Sequence, residues 1–296
     1  MLLSSFLGAV SLLTRLPVPS TWLQGNKDKQ GNQDKQKNKD KLDNKDSEEQ
    51  DMGTWPAYFP LVGLFLGLVF LGSTLLFRNF LPVGVTAFLL VLMDAYLTGG
   101  LHLDGLADSF DGLFSGREGD ALLSVMRDSR LGAFGSLALW FLLTGKWLLL
   151  TQLMSQGWVL VTLLFPWVGR FVMLQIMGAY PYPPNTSGFG KLFQDMRGRH
   201  LGMLISLLLG LSASLFFVQG VFRGPAELSG FPQLLGMWFW PGSLVVMLGM
   251  TGLVVHCFVR TMVKKLGGAT GDVYGASCEI SQVVFLFLCV LIWGNL

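Results

Sequence analysis

Apolar runs of about twenty residues recur along this chain, and no other feature limits its possible folds as strongly. A helix rising 1.5 Å per residue needs roughly that length to cross about 30 Å of hydrocarbon. Inside lipid each backbone N–H and C=O must be satisfied within the chain, so such runs become helices. Composition agrees. Of the 296 residues 14% are charged, against roughly 25% in soluble domains, and much of that charge falls within residues 27–51. The expected fold is all-α, a polytopic transmembrane helical bundle.

Seven spans are expected, at approximately 56–77, 81–98, 131–150, 158–177, 201–222, 235–259 and 277–293. The apolar stretch 2–13 is too short to span. No basic residue precedes it, and Arg15 and Pro17-Val18-Pro19 follow it. That polarity is wrong for a secretory signal, so residues 1–19 read as a short interfacial or re-entrant helix. Residues 24–51 are rich in Lys, Asp, Asn and Gln with nearly balanced charge. They cannot bury enough apolar surface to order themselves and read as a disordered polar linker. Residues 55–296 form the transmembrane bundle that carries the chemistry.

Basic residues alternate between the loops. Arg117, Arg127 and Arg130, then Lys191, Arg197 and Arg199, then Arg260, Lys264 and Lys265 fall on one side, against Arg78 and Arg223 on the other. Nine against two places the N-terminus in the cytoplasm. The net charge of +2, with no basic patch, gives no reason to expect a nucleic-acid partner. Cys257, Cys278 and Cys289 lack metal-ligand spacing and read as packing residues. His102, His200 and His256 are scattered, which disfavours a histidine zinc site.

The chemically dense segments lie on the basic side. Within residues 98–112 Asp104, Asp108 and Asp111 stand at i, i+4 and i+7, one stripe if the segment is helical. A solvated acidic face is the plain alternative, but these acids are interleaved with Leu, Ala, Phe and Gly rather than Lys or Gln. Oxygen ligands of this kind suit Mg²⁺ or Mn²⁺ shared with substrate phosphates. Next, Arg127 and Arg130 flank Asp128; they either anchor the membrane edge or grip phosphate through the planar guanidinium. Asp128 would orient an arginine or complete a metal shell. In the third segment Gly268 and Gly271 let a ligand approach the backbone beside Lys265 and Asp272, ahead of the last span. Glu279 is a carboxylate at membrane depth, a costly placement that usually signals function. Asp94, Lys146 and Arg170 are further charges within apolar runs, equally suited to helix pairing and to the site.

These segments, in this order, resemble the cobalamin synthase family, the adenosylcobinamide-GDP ribazoletransferases. The matching stretches are residues 13–19, 59–63, 98–112, 126–135 and 267–279, so the similarity extends over nearly the whole chain. The resemblance implies a Mg²⁺-dependent, multi-pass enzyme of the cell inner membrane, with its site facing the cytoplasm. Its substrates would be adenosylcobinamide-GDP and α-ribazole or its 5′-phosphate, and GMP would leave. Arg15 and His102, within matched stretches, join the expected substrate-binding residues. Asp104, Asp108, Asp111 and Asp128 are the expected catalytic residues, and the first three of them the metal ligands. The lipid bilayer and other enzymes of cobalamin synthesis are the further expected partners. Where family members often carry a second Glu three residues after the one matching Glu279, this chain has Gln282. A CDP-alcohol phosphatidyltransferase-like enzyme is the alternative with similar chemistry, but its signature places Arg where Asp108 stands. A transporter would place its charges near mid-membrane, whereas most of those here gather at one interface.

Overall fold

A computed structural model describes residues 2–19, 53–183 and 233–294, and all its regular elements there are helices. They are α1 (Leu2–Leu13), a 3₁₀ turn (Trp55–Tyr58), α2 (Phe59–Phe77), α3 (Val83–Thr98), α4 (Leu101–Phe114), α5 (Gly119–Met126), α6 (Ala133–Ser155), α7 (Val161–Ala179), α8 (Gln233–Leu266) and α9 (Gly271–Trp293). Five of the described helices are long and apolar enough to cross a membrane, and α3 with α4 passes the same test only as a pair bent by 89°. The expected span at 201–222 and the linker at 24–51 lie outside the described residues.

The core forms around α7. Nearly every residue from Val161 to Met177 is buried, as expected of a helix apolar on all sides. Against it packs α2, whose Gly63 and Gly67 leave no room for side chains: a Cβ at Gly63 would stand 2.7 Å from the Pro166 carbonyl oxygen, and one at Gly67 would strike that of Leu163. Phe70 stacks on Phe165 one turn further along, at 5.6 Å between ring centroids. The outward faces carry Leu68, Phe88, Leu92, Trp140, Phe141 and Leu253, all exposed. In water such a belt would drive aggregation; against acyl chains it is the stable arrangement.

At one end of the bundle Gln156 donates to the Gly294 carbonyl at 2.8 Å, and Trp158 packs on Trp293 at 5.5 Å, gathering the ends of α6, α7 and α9. Paired tryptophans of this kind favour the lipid–water interface. The opposite end holds the α3–α4 break, α5, the start of α6 and the α8–α9 turn. Two consecutive glycines make the break: Gly99 and Gly100 have φ of +63° and +73°, a left-handed conformation that side chains resist. The C-terminal end of α1 is tied to this corner, since Arg15 N–H donates to the Leu97 carbonyl at 2.7 Å.

Candidate active site

Turned through its 89° bend, α4 lies across the start of α9 and is not one of the five membrane-length helices. The crossing is close because both helices present glycine. A Cβ at Gly105 would stand 2.8 Å from the Asp272 carbonyl oxygen, and one at Gly275 would stand 3.2 Å from His102 Cα. That contact brings Asp272 to the acidic stripe from the far end of the sequence. Asp104 is exposed, while Asp108 and Asp272 are part-buried. Burial first, then the charges of Asp104, Asp272 and Asp111, push the Asp108 carboxyl up to about 7. Arg127, at the end of α5, is close enough to Asp272 to act on its charge.

Asp111, third on the stripe, is already engaged. Its two oxygens accept from the backbone N–H groups of Gly132 at 2.8 Å and Gly135 at 2.9 Å. These belong to the first turn of α6, where N–H groups lack helical partners, so Asp111 caps a second helix while sitting on its own. On the loop before α6, Asp128 and Arg130 pair with each other at 2.6 Å. Hydrogen bonds from Arg130 hold the Asp128 carboxyl down to about 2. Both are exposed, and the pairing is compatible with the first of the two roles the sequence left open for Asp128, orienting an arginine or completing a metal shell.

The glycine-rich segment divides into two parts. Gly268 is buried against Pro181 and Pro183, and the Ala269 N–H donates to the Pro181 carbonyl at 2.9 Å, so this glycine serves packing. Gly271 faces open space beside Asp272. The last helix begins at Gly271, six residues before the span expected from sequence, because the Thr270 hydroxyl accepts from Val273 N–H and caps it. Lys265 is half-buried in the last turn of α8. Arg15 is exposed at the other side of α4, its side chain lying on the Gly99 backbone where a Cβ would collide with it.

Glu279 and His102 face inward, away from the stripe. Lys146 Nζ donates to Glu279 Oε2 at 2.6 Å and to Asp94 Oδ2 at 2.8 Å, and Arg170 Nη2 lies 3.8 Å from Asp94 Oδ1. All four side chains are almost fully buried. His102 is buried on the α4 face opposite Asp104, within the field of Asp94, Lys146 and Arg170. Gln282 is buried one turn after Glu279, its amide nitrogen 3.5 Å from Cys278 Sγ. Single charges inside apolar runs were the sequence signal for this cluster, but their pairing joins residues 52 and 133 positions apart, which spacing cannot reveal.

Among the described residues no group of three His, Cys, Asp or Glu side chains is gathered so as to hold a metal ion. The donor chemistry still suits Mg²⁺, which keeps several waters and takes one or two carboxylates together with substrate phosphates. Asp104 and Asp108, one turn apart with Asp272 close by, form a set of mutually repelling oxygen donors that such an ion would relieve.

The family model for cobalamin-5-phosphate synthase matches residues 5–290. The chain is 31% identical to an adenosylcobinamide-GDP ribazoletransferase of Fusobacterium nucleatum, over 98% of each chain. It is 35% identical to a protein of the same name from Shewanella baltica, over 98% of this chain and 95% of the relative. A third such relative, from Desulfitobacterium hafniense, is 38% identical over 77% of this chain and 83% of its own. No solved structure matches.

Proposed function

This chain belongs to the cobalamin-5-phosphate synthase family, and we propose from that premise that its adenosylcobinamide-GDP ribazoletransferase chemistry takes place on the acidic face of α4. A ribose hydroxyl of α-ribazole, or of its 5′-phosphate, attacks the phosphorus bonded to cobinamide. A P–O bond forms there, the pyrophosphate P–O bond breaks, and GMP departs with the electron pair. The observation that carries this placement is the glycine crossing that sets Asp104 and Asp108 of α4 beside Asp272 of α9.

Asp104 and Asp108 are the residues that would hold Mg²⁺. When bound, Mg²⁺ supplies neutralisation of the charge on the pyrophosphate and on the departing GMP. Arg127 and Arg130 contribute fixed positive charge at the same end of the bundle, suited to phosphate oxygens. A carboxylate of the group that does not hold the ion accepts the hydroxyl proton. Asp111 holds the start of α6 against α4, keeping the stripe in place.

The site faces the cytoplasm of the inner membrane in this proposal. In support, Arg117, Arg127, Arg130, Arg260, Lys264 and Lys265 all border the end of the bundle where the acids lie, as the positive-inside rule requires.

The test is GMP release from adenosylcobinamide-GDP by purified protein in detergent, measured against Mg²⁺ concentration. Asp104→Asn and Asp108→Asn are expected to lose turnover on the scale of about 3 kcal/mol of activation energy, with melting temperatures unchanged or raised. Near-parental turnover by both variants at limiting Mg²⁺ would remove the metal from the proposal.

A further inference from the structure

A cavity adjoins the acidic face from the side away from α9. It has a volume of about 760 Å³ and lies between the end of α1, the α3–α4 break and the first half of α6. This is ample for a nucleoside-sized ligand, since small-molecule sites commonly measure roughly 300–1,000 Å³. Leu103, Leu139 and Leu143 give it apolar walls, Arg15 and Thr98 line one part, and Asp104 belongs both to it and to the stripe.

Two charges of opposite sign therefore border one cavity without neutralising each other. Among the described residues Arg15 forms no ion pair with Asp104 or any other acid. Its position is nevertheless fixed. The Arg15 N–H is bonded to the Leu97 carbonyl, the Leu16 N–H to the Thr14 hydroxyl at 3.3 Å, and the Arg15 side chain lies along Gly99, where only glycine leaves space. A preplaced guanidinium with no acidic partner among the described residues, set at an apolar cavity, is a receptor for a phosphate carried on an otherwise flat, weakly polar molecule.

We infer that this cavity binds the ribazole-side substrate, with its base against the leucines, its 5′-phosphate on Arg15 and its ribose towards Asp104. The inference rests on the ribazoletransferase reading and adds to it the place of the second substrate and a residue that recognises its phosphate. The arrangement accounts for the position of the break. By ending α3 at Gly99 the chain opens a corner that Arg15 fills from one side and the acidic helix borders from the other. A nucleoside seated there presents its ribose at the stripe, while the region around Arg127 and Gly271, beyond Asp272, is left for the nucleotide-activated substrate.

The experiment compares KM values for α-ribazole, α-ribazole 5′-phosphate and adenosylcobinamide-GDP, with equilibrium dialysis of the phosphorylated nucleoside as a readout free of turnover. Arg15→Gln is expected to raise KM and Kd for the phosphorylated nucleoside by about tenfold or more, as for loss of one charge-assisted contact, and to change those for the unphosphorylated form by less than about threefold. Arg15→Lys keeps the charge and recovers part of the loss, which separates recognition from packing on Gly99. Leu143→Trp, which fills the cavity, should weaken both forms and leave KM for adenosylcobinamide-GDP unaltered; Leu139→Phe serves the same purpose if that variant does not fold. Equal effects of Arg15→Gln on both nucleosides, or cavity-filling effects confined to adenosylcobinamide-GDP, would overturn the inference. Absence of GMP release by the parent with either nucleoside would instead overturn the ribazoletransferase reading itself.

Discussion

Lys146 donates to Glu279 across 2.6 Å in the interior of the bundle, and the same ammonium reaches Asp94 at 2.8 Å. One side chain on α6 thus fastens α9 and α3 together, with Arg170 of α7 near the second carboxylate. Lys146→Met would leave two buried carboxylates beside a single arginine. Breaking a buried pair from one side costs about 3–5 kcal/mol, so its melting temperature in detergent should fall steeply. Adding Asp94→Asn and Glu279→Gln should restore much of the loss. A single variant as stable as the parent would show that the cluster contributes no net stability.

Asp111 is expected to behave differently from its two neighbours on the stripe. Asp111→Ala leaves the N–H groups of Gly132 and Gly135 without their acceptor, and losing a helix cap costs about 1–2 kcal/mol. Its activity should decline together with its melting temperature. Asp104→Asn and Asp108→Asn should separate the two, with activity lost and stability kept. Melting curves run beside GMP release distinguish these patterns.

Cation binding should be linked to protons through Asp108. Below about 7 its carboxyl is protonated in the folded protein, so a cation must displace the proton. The apparent Mg²⁺ affinity should rise as pH climbs towards 7 and level off above it. Asp104→Asn removes a neighbouring charge and should move the break to lower pH. Without metal the sign of the stability effect is the reverse. The folded carboxyl keeps its proton up to about 7 while the unfolded one loses it near the ordinary 3.8 of an aspartate, so stability increases as pH falls through that window. Calorimetric Mg²⁺ titrations between pH 5.5 and 8 test both statements, and a flat affinity would separate Asp108 from the metal.

The two arginines near the site should differ in what they need. Arg127 lies within reach of the charge of Asp272 and, among the described residues, forms no ion pair, whereas Arg130 is held by Asp128. Arg127→Lys should weaken adenosylcobinamide-GDP binding by about tenfold, since Lys cannot reproduce the bidentate fork. Asp128→Asn should weaken it only through the looser placement of Arg130, by a smaller factor. Equilibrium binding of the nucleotide substrate measures both. Parental affinity in Arg127→Lys and Arg130→Lys alike would mark the arginines as membrane anchors.

Topology is open to a direct check. A reporter inserted near Glu118 should read as cytoplasmic, and one fused after Leu296 as external. Both on one side would contradict the orientation drawn from the basic loops.

Much of this architecture was legible in the residues themselves. The acidic stripe followed from the spacing of Asp104, Asp108 and Asp111, because one helical face repeats every three to four residues. The membrane helices followed from the length of the apolar runs. What spacing could not show is what each stripe meets. Asp111 met the start of α6, and Asp272 met Gly105, through contacts between helices distant in the chain. The stretch before Glu279 read as a glycine loop because glycine is rare inside helices. Thr270 and the close crossing with α4 explain why Gly271 and Gly275 are helical here. Asp94, Lys146 and Arg170 were visible as isolated charges, and only the fold could make them partners.

The glycine contact between α4 and α9 also sets a condition on how the protein is made. Asp104 and Asp108 emerge early from the ribosome, whereas Gly275 and Asp272 belong to the last described helix. Until that helix has entered the bilayer, the acidic helix can rest on the start of α6 through Asp111 but lacks the glycine crossing, and Asp272 has not yet joined Asp104 and Asp111 around Asp108. An unfinished chain therefore lacks one carboxylate of the proposed site and the backbone against which α4 is set. Insertion of α9 is thus a precondition for the proposed site, which two segments far apart in the sequence build together.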